Sequence, residues 1–220
     1  MKDSVASTRI ADALRCSILD GRYLPGERIR QEQVAERSGA SRIPVREALR
    51  MLHSEGLVTL VANTGAWVAG LSLAECAETY LIRERLEPLL LRTSMPGLDE
   101  AALGRLGELA AVMEAATGEQ GAGTGAFLRA DREFHLSGYA GAPPGQTADI
   151  IGRLWNTTQH YRREYTRLVA GDGLRVTHLE HRLLLDCIGR GDADDAERVL
   201  VTHIRRTRLE LQKHPEVFAI

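Results

Sequence analysis

Residues 39–54 read Gly39-Ala40-Ser41-Arg42-Ile43-Pro44-Val45-Arg46-Glu47-Ala48-Leu49-Arg50-Met51-Leu52-His53-Ser54. Val45, Ala48, Leu49 and Leu52 recur at i, i+3, i+4 and i+7, the spacing of one buried helix face. Ser41 stands where an N-cap is favoured, and Pro44 falls in the first turn, where a missing N–H is tolerated. On another face Arg42, Arg46 and Arg50 repeat every four residues, and at about 100° per residue they stay within a stripe roughly 80° wide. One face packs while the other presents guanidinium groups.

Upstream, a short helix over residues 32–37 is broken by Ser38-Gly39-Ala40, so a tight turn joins two helices. Before it, residues 7–20 place Ile10, Ala11, Leu14 and Ile18 on one helix side, Asp20-Gly21 supplies a stop, and Tyr23-Leu24-Pro25-Gly26 reads as a turn. Downstream, Leu57-Val58-Thr59-Leu60-Val61 and Ala66-Trp67-Val68-Ala69 flank Ala62-Asn63-Thr64-Gly65, which predicts two short strands and a turn. Together these pieces describe a winged helix-turn-helix with a two-stranded wing, over residues 1–71. From Ser72 the periodicity is helical throughout, with helices at about 73–93, 99–116, 125–139, 147–168, 174–190 and 192–212. Residues 72–220 therefore read as an all-α bundle of about six helices, and the whole chain as mainly α. The glycine-rich Gly118–Gly125 stretch lacks the GK[ST] ending of a phosphate loop and reads as a flexible connection.

Composition agrees. The chain has 220 residues, 44% hydrophobic, 26% charged and 5% aromatic, which excludes a mainly disordered protein and disfavours a large β-sandwich or barrel. No apolar run approaches the roughly 20 residues needed to span a bilayer, and the opening residues lack a signal-peptide apolar core, so a cytoplasmic protein without a membrane partner is expected. Cys16, Cys76 and Cys187 have no CxxC spacing and read as three small buried thiols. The net charge of −2 hides an excess of two positive charges in residues 1–70 and of four negative charges beyond. So small an imbalance leaves local arginine placement to decide nucleic-acid binding.

A helix can enter the major groove, where arginine pairs with guanine O6 and N7 or binds phosphate. Pro25-Gly26-Glu27-Arg28, Gly39 to Leu49, and Glu55-Gly56-Leu57-Val58 resemble the N-terminal domain of GntR-family bacterial transcription regulators. The resemblance implies that Arg42 and Arg46 contact operator DNA, that Ser41 touches a phosphate, and that Gly65 lets the wing tip approach the minor groove. Gln31 departs from the pattern, which commonly has a carboxylate there, and the wing Val61 to Gly65 is longer. A two-fold operator bound by a homodimer is expected, since one winged helix reads only a few base pairs.

Three of seven histidines lie on apolar helix faces: His181 with Leu184, Leu185 and Ile188, His203 with Ala196, Val199 and Leu200, and His135 with Phe127, Leu128 and Phe134. Asp131 precedes His135 by four residues, so both can reach one cation from a single helix. Spacing alone leaves open a metal-free core made of an Asp–His pair and two satisfied histidines. Neutral imidazoles and a carboxylate suit a divalent transition metal, zinc or nickel foremost, without choosing among them. Asp131-Arg132-Glu133-Phe134-His135, Glu180-His181-Arg182-Leu183-Leu184, Gly191-Asp192 and His203-Ile204 resemble the FCD effector-binding and dimerisation domain of the FadR-type branch. That likeness implies a metal on Asp131, His135, His181 and His203; His160 and His178 match no motif position.

Tyr80-Leu81-Ile82-Arg83-Glu84-Arg85-Leu86-Glu87-Pro88 resembles that domain's first helix, where the arginine at Arg83 commonly faces the effector. A guanidinium fork fits a carboxylate, so a small organic acid bound near the metal and Arg83 is expected to control operator affinity. The competing class is a metal-dependent hydrolase, in which Asp and three His with open positions activate water. Against it stand the attached DNA-reading module and the lack of a further acid or base in a recognisable motif.

Overall fold

A computed structural model describes residues 2–62, 64–117 and 123–219, so Asn63 of the wing turn and residues 118–122 of the glycine-rich stretch lie outside the described residues. The chain divides into two compact units: Met1–Ser72 with Asn156–His160 and Phe218–Ile220, and Leu73–Trp155 with Tyr161–Val217. The described residues form ten α-helices, two short 3-10 helices and three short strands, joined by turns. No helix among them is long and apolar enough to cross a membrane.

The first unit runs α1 (Lys2–Leu19), β1 (Arg28–Ile29), α2 (Gln31–Ser38), α3 (Arg42–Ser54), β2 (Val58–Val61) and β3 (Gly65–Val68). Gly39 ends α2 at φ +62°, a left-handed conformation that most side chains resist, and its N–H reaches the carbonyl of Glu36 while that of Ala40 reaches Ala35. This closed turn sets α3 against α2. Ile10, Ala11, Leu14 and Ile18 of α1 join Val45, Ala48, Leu49 and Leu52 of α3 in one core, with Ile29, Val58, Ala66 and Val68 closing it from the sheet. Ser41 takes the N-cap position of α3, but its hydroxyl makes no capping hydrogen bond, unlike the expected cap.

Two strands were expected and three are found. β3 lies in the middle, pairing antiparallel with β2 from Val58↔Val68 to Val61↔Gly65 and with β1 at Arg28↔Trp67 and Ile29↔Ala66. Two residues are too few to show a period-2 pattern, so β1 is visible only through the edge of β3 that it covers. Cys16 is exposed rather than buried. It follows Leu14 by two residues, about 200° around α1, and so faces away from the core.

The second unit contains α4 (Leu73–Ser94), α5 (Glu100–Thr117), α6 (Thr124–Gly138), α9 (Asp172–Gly189) and α10 (Ala193–Leu211), with most of α7 (Gln146–Thr157) and α8 (Gln159–Leu168). A single helix over 147–168 was expected, yet the chain turns at Thr158. Asn156, Thr157 and Thr158 are three successive poor helix formers, and they mark the break. Among the described residues the bundle accordingly has seven α-helices, against an expectation of about six.

Leu52 is fully buried, so Leu52→Ala is expected to cost about 2–5 kcal/mol in urea denaturation. Ile43, on the same helix but 64% exposed, is expected to tolerate alanine within about 0.5 kcal/mol. Equal costs at the two positions would contradict this packing.

Candidate functional site

In the first unit all three arginines of the α3 stripe are exposed. They differ in company. Arg42 Nη2 lies 3.3 Å from Glu32 Oε1 of α2, and Arg50 Nη1 lies 2.6 Å from Glu47 Oε1. Arg46 has no ion pair or hydrogen bond among the described residues. Arg28, Arg30, Arg46 and Arg50 line an open cleft between α3, β1 and the wing, with Gln31, Glu32, Thr64 and Gly65.

Sequence reasoning missed Arg28 because it missed β1. Its Nη2 donates to the carbonyl of Thr64 at 2.8 Å, and its guanidinium lies 5.6 Å from the Trp67 ring centre. Gly65 adopts φ +138°, and a Cβ there would meet Arg28 Nε at 3.5 Å. The wing turn is thus braced by one arginine and depends on one glycine.

The second unit gathers Asp131 and His135 from α6, His181 from α9 and His203 from α10, all buried. One donor atom from each lies within 4.8 Å of the others. His135 Nε2 and His181 Nε2 are 3.0 Å apart, and Asp131 Oδ1 lies 3.3 Å from His181 Nε2 and 3.9 Å from His135 Nε2. Two ring nitrogens so close share at most one hydrogen, so at least one lone pair faces the common point. His178 is not among the four; its Nε2 is 3.5 Å from Glu114 Oε2.

Electrostatics favour the chelating forms. Burial, chiefly, holds the His135 and His181 imidazoles below their ordinary range, so both are neutral at neutral pH. Burial also opposes ionisation of Asp131, but a hydrogen bond with His181, the charge that His135 and His181 gain in acid, and the Arg162 guanidinium outweigh it and hold the carboxyl well below the usual carboxylate range. A carboxylate and neutral imidazoles are the states a transition metal requires.

Outer partners orient the donors. His203 Nδ1 is 2.8 Å from Glu180 Oε2, which leaves Nε2 toward the cluster, and Glu180 is itself gripped by Arg206 at 2.6 and 2.8 Å. Against the penalty of burial, the hydrogen bonds from His203 and Arg206 keep the Glu180 carboxyl at about 2. A carboxylate behind a histidine fixes its tautomer, as metal-binding histidines need. His181 Nδ1 is buried without a hydrogen-bond partner. These residues fit a divalent cation.

Arg83 of α4 is 3% exposed and donates from Nε to Glu87 Oε1 at 2.5 Å, while Tyr139 donates to Glu87 Oε2 at 2.6 Å. Its guanidinium packs 4.6 Å from the Trp155 ring and 4.8 Å from Tyr80. Arg162, unread in the sequence, packs 3.8 Å from the Trp155 ring, with its Nε 3.9 Å from Asp131 Oδ2. Burial, then repulsion by Arg83, pulls Arg162 down to about 9 and Arg132 to about 10, both still charged at neutral pH. Arg83, Asp131, Arg162 and His203 line a cavity of about 20 Å³, room for one water, with Tyr80 and Trp155. Tyr80 Oη and Trp155 Nε1 are buried without hydrogen-bond partners. No period in the sequence marks Arg162 or Trp155; only the packing of α7 and α8 beside α6 reveals them.

Residues 6–68 match the family described as bacterial regulatory proteins, gntR family, and residues 78–206 match the FCD domain. An uncharacterized HTH-type transcriptional regulator in an unstable DNA locus of Streptomyces ambofaciens is 27% identical, over 94% of this chain and 86% of that one. The probable D-xylose utilization operon transcriptional repressor of Paenarthrobacter nicotinovorans is also 27% identical, over 91% of this chain and 86% of its own. The solved structure of E. coli McbR/YncC superposes with a TM-score of 0.80 at 21% identity, covering 94% and 97% of the two chains, which supports the fold. Hydrolase chemistry at the donor cluster is set aside, because these relatives are transcription regulators and a DNA-binding domain occupies the first unit. The chain belongs to the GntR family of bacterial transcription regulators and carries an FCD domain after its helix-turn-helix.

Proposed function

We propose that this regulator works in the cytoplasm as a homodimer on two-fold operator DNA, and that a small organic acid held between a divalent cation and Arg83 changes its operator affinity. Residues 1–71 bind DNA, and residues 72–220 bind the ligand and the second subunit. The observation carrying this reading is the convergence of four buried donors beside a cluster of buried guanidiniums. Asp131, His135, His181 and His203 hold the cation, zinc or nickel first among the candidates. When bound, the cation supplies fixed positive charge and open positions for oxygen ligands.

The surroundings call for an anion. Arg83 and Arg162 are buried beside Glu87 and Asp131, and a cation on the four donors would add two positive charges to this interior. Tyr80 and Trp155 add hydrogen-bond donors along the cavity. An acid of several carbons needs more than 20 Å³, so its binding displaces lining side chains, including those of α4. α4 follows directly on Gly70-Leu71-Ser72, the link from the wing, and this is the covalent route by which such a displacement reaches the DNA-binding residues. Regulation requires that the acid bind the DNA-competent and released states unequally.

Ser41, Arg42, Arg46 and the Gly65 wing contact the operator. Arg46→Ala is expected to weaken binding strongly; loss of a base contact costs about 1–3 kcal/mol of discrimination. Normal operator binding by both Arg42→Ala and Arg46→Ala would refute the assignment of α3.

His181→Ala is expected to lower metal content in the purified protein, read by elemental analysis after reconstitution with several divalent ions. Wild-type protein that takes up no stoichiometric metal would instead favour a plain Asp–His core.

Carboxylates and sugar acids are to be screened by thermal shift, since a ligand of the native state raises the melting temperature. Calorimetry with the best acid is expected to show weaker binding to Arg83→Ala and to metal-stripped protein. Unchanged affinity in both would remove the ligand from this place.

A further inference from the structure

The cleft beside α3 is lined by four arginines, Arg28, Arg30, Arg46 and Arg50, and by one carboxylate, Glu32. Glu32 stands in the first turn of α2, where the helix dipole favours a negative charge. Its Oε1 lies 3.3 Å from Arg42 Nη2, and both side chains are about two-thirds exposed. A solvated pair of this kind adds little to folding stability, so its consequence is for what Arg42 binds.

An acid in a cleft lined by four arginines is counterproductive if affinity for DNA alone matters, because it repels the phosphate backbone that the arginines attract. Phosphate contacts carry no sequence information, whereas contacts to base edges do. An unrestrained Arg42 would pair with the phosphates of any duplex. The Glu32 carboxylate offsets the charge of Arg42 and repels an anionic phosphate, whereas the neutral acceptors of a guanine edge still take directional hydrogen bonds from the remaining N–H groups of the fork.

We propose that Glu32 is a positioning residue that sets the selectivity of DNA binding, by holding Arg42 away from backbone phosphates and so keeping binding to non-operator DNA weak. The proposal rests on the assignment of α3 to DNA and adds a role to a residue outside that helix.

The test compares intact wild type, Glu32→Gln, Arg42→Ala and the double variant on two probes: a random-sequence 30-base-pair duplex pool, and a duplex enriched from that pool by the wild type. Glu32→Gln is expected to bind the pool several-fold more tightly. Its plot of log affinity against log salt should steepen by about 0.9, the increment for one added phosphate contact. Its preference for the enriched duplex over the pool should fall, with an unchanged melting temperature. In the Arg42→Ala background the same substitution should lose most of these effects. Unchanged pool affinity and salt slope in Glu32→Gln, or an equal response with and without Arg42, would overturn the proposal. Arg46→Ala serves as the control, since normal binding of both probes by that variant would refute the α3 assignment itself.

Discussion

Burying the charge of Asp131 inside an all-helical unit is the constraint on which the second half of the molecule depends. A carboxylate removed from water carries a penalty of several kcal/mol unless cations or hydrogen bonds replace the lost solvation. Here that replacement comes from three directions at once: His135 one turn along the same helix, His181 across the bundle with His203 behind it in the donor cluster, and Arg162 beside Trp155. Each of those partners then needs its own compensation. His203 leans on Glu180, Glu180 on Arg206, and Arg206 Nη2 on Thr177 at 2.8 Å, so the polar chain extends from α6 to α10 before it is satisfied.

Arginine is used in opposite ways in the two units. Those of α3 remain in water, where a guanidinium keeps its full reach toward phosphate or base and a neighbouring carboxylate can only bias it. Arg83 and Arg162 are enclosed against aromatic rings, and there the charge is met at close range by Glu87 and Asp131. In the proposed function the two uses are complementary: the surface binds a long polyanion and the interior a small one.

The DNA-binding half was largely legible because its information is local. Gly39 at a left-handed turn, the Val45–Leu52 stripe and the alternating strand residues each act within a few positions of chain. β1 was hidden because two residues have no period, and with it went Arg28. In the second unit the four donors were legible from apolar faces joined to a family likeness, since one helical stripe places each of them. Trp155, Arg162 and Tyr80 were not read, because their roles depend on packing among α4, α6, α7 and α8, which no spacing in the sequence encodes. The break at Thr158 was missed for a related reason: polar, weakly helical residues inside a long periodic run lower helix preference without abolishing it.

In the proposed function, chemistry at the buried donors changes how the arginines of α3 hold DNA. Fluorescence anisotropy with a labelled duplex enriched by the wild type tests it most directly, on metal-loaded and metal-stripped protein, each with and without the acid that most raises the melting temperature. The acid is expected to shift the Kd for DNA of the metal-loaded protein at least several-fold and to leave that of the stripped protein nearly unchanged. One Kd common to all four conditions would contradict it.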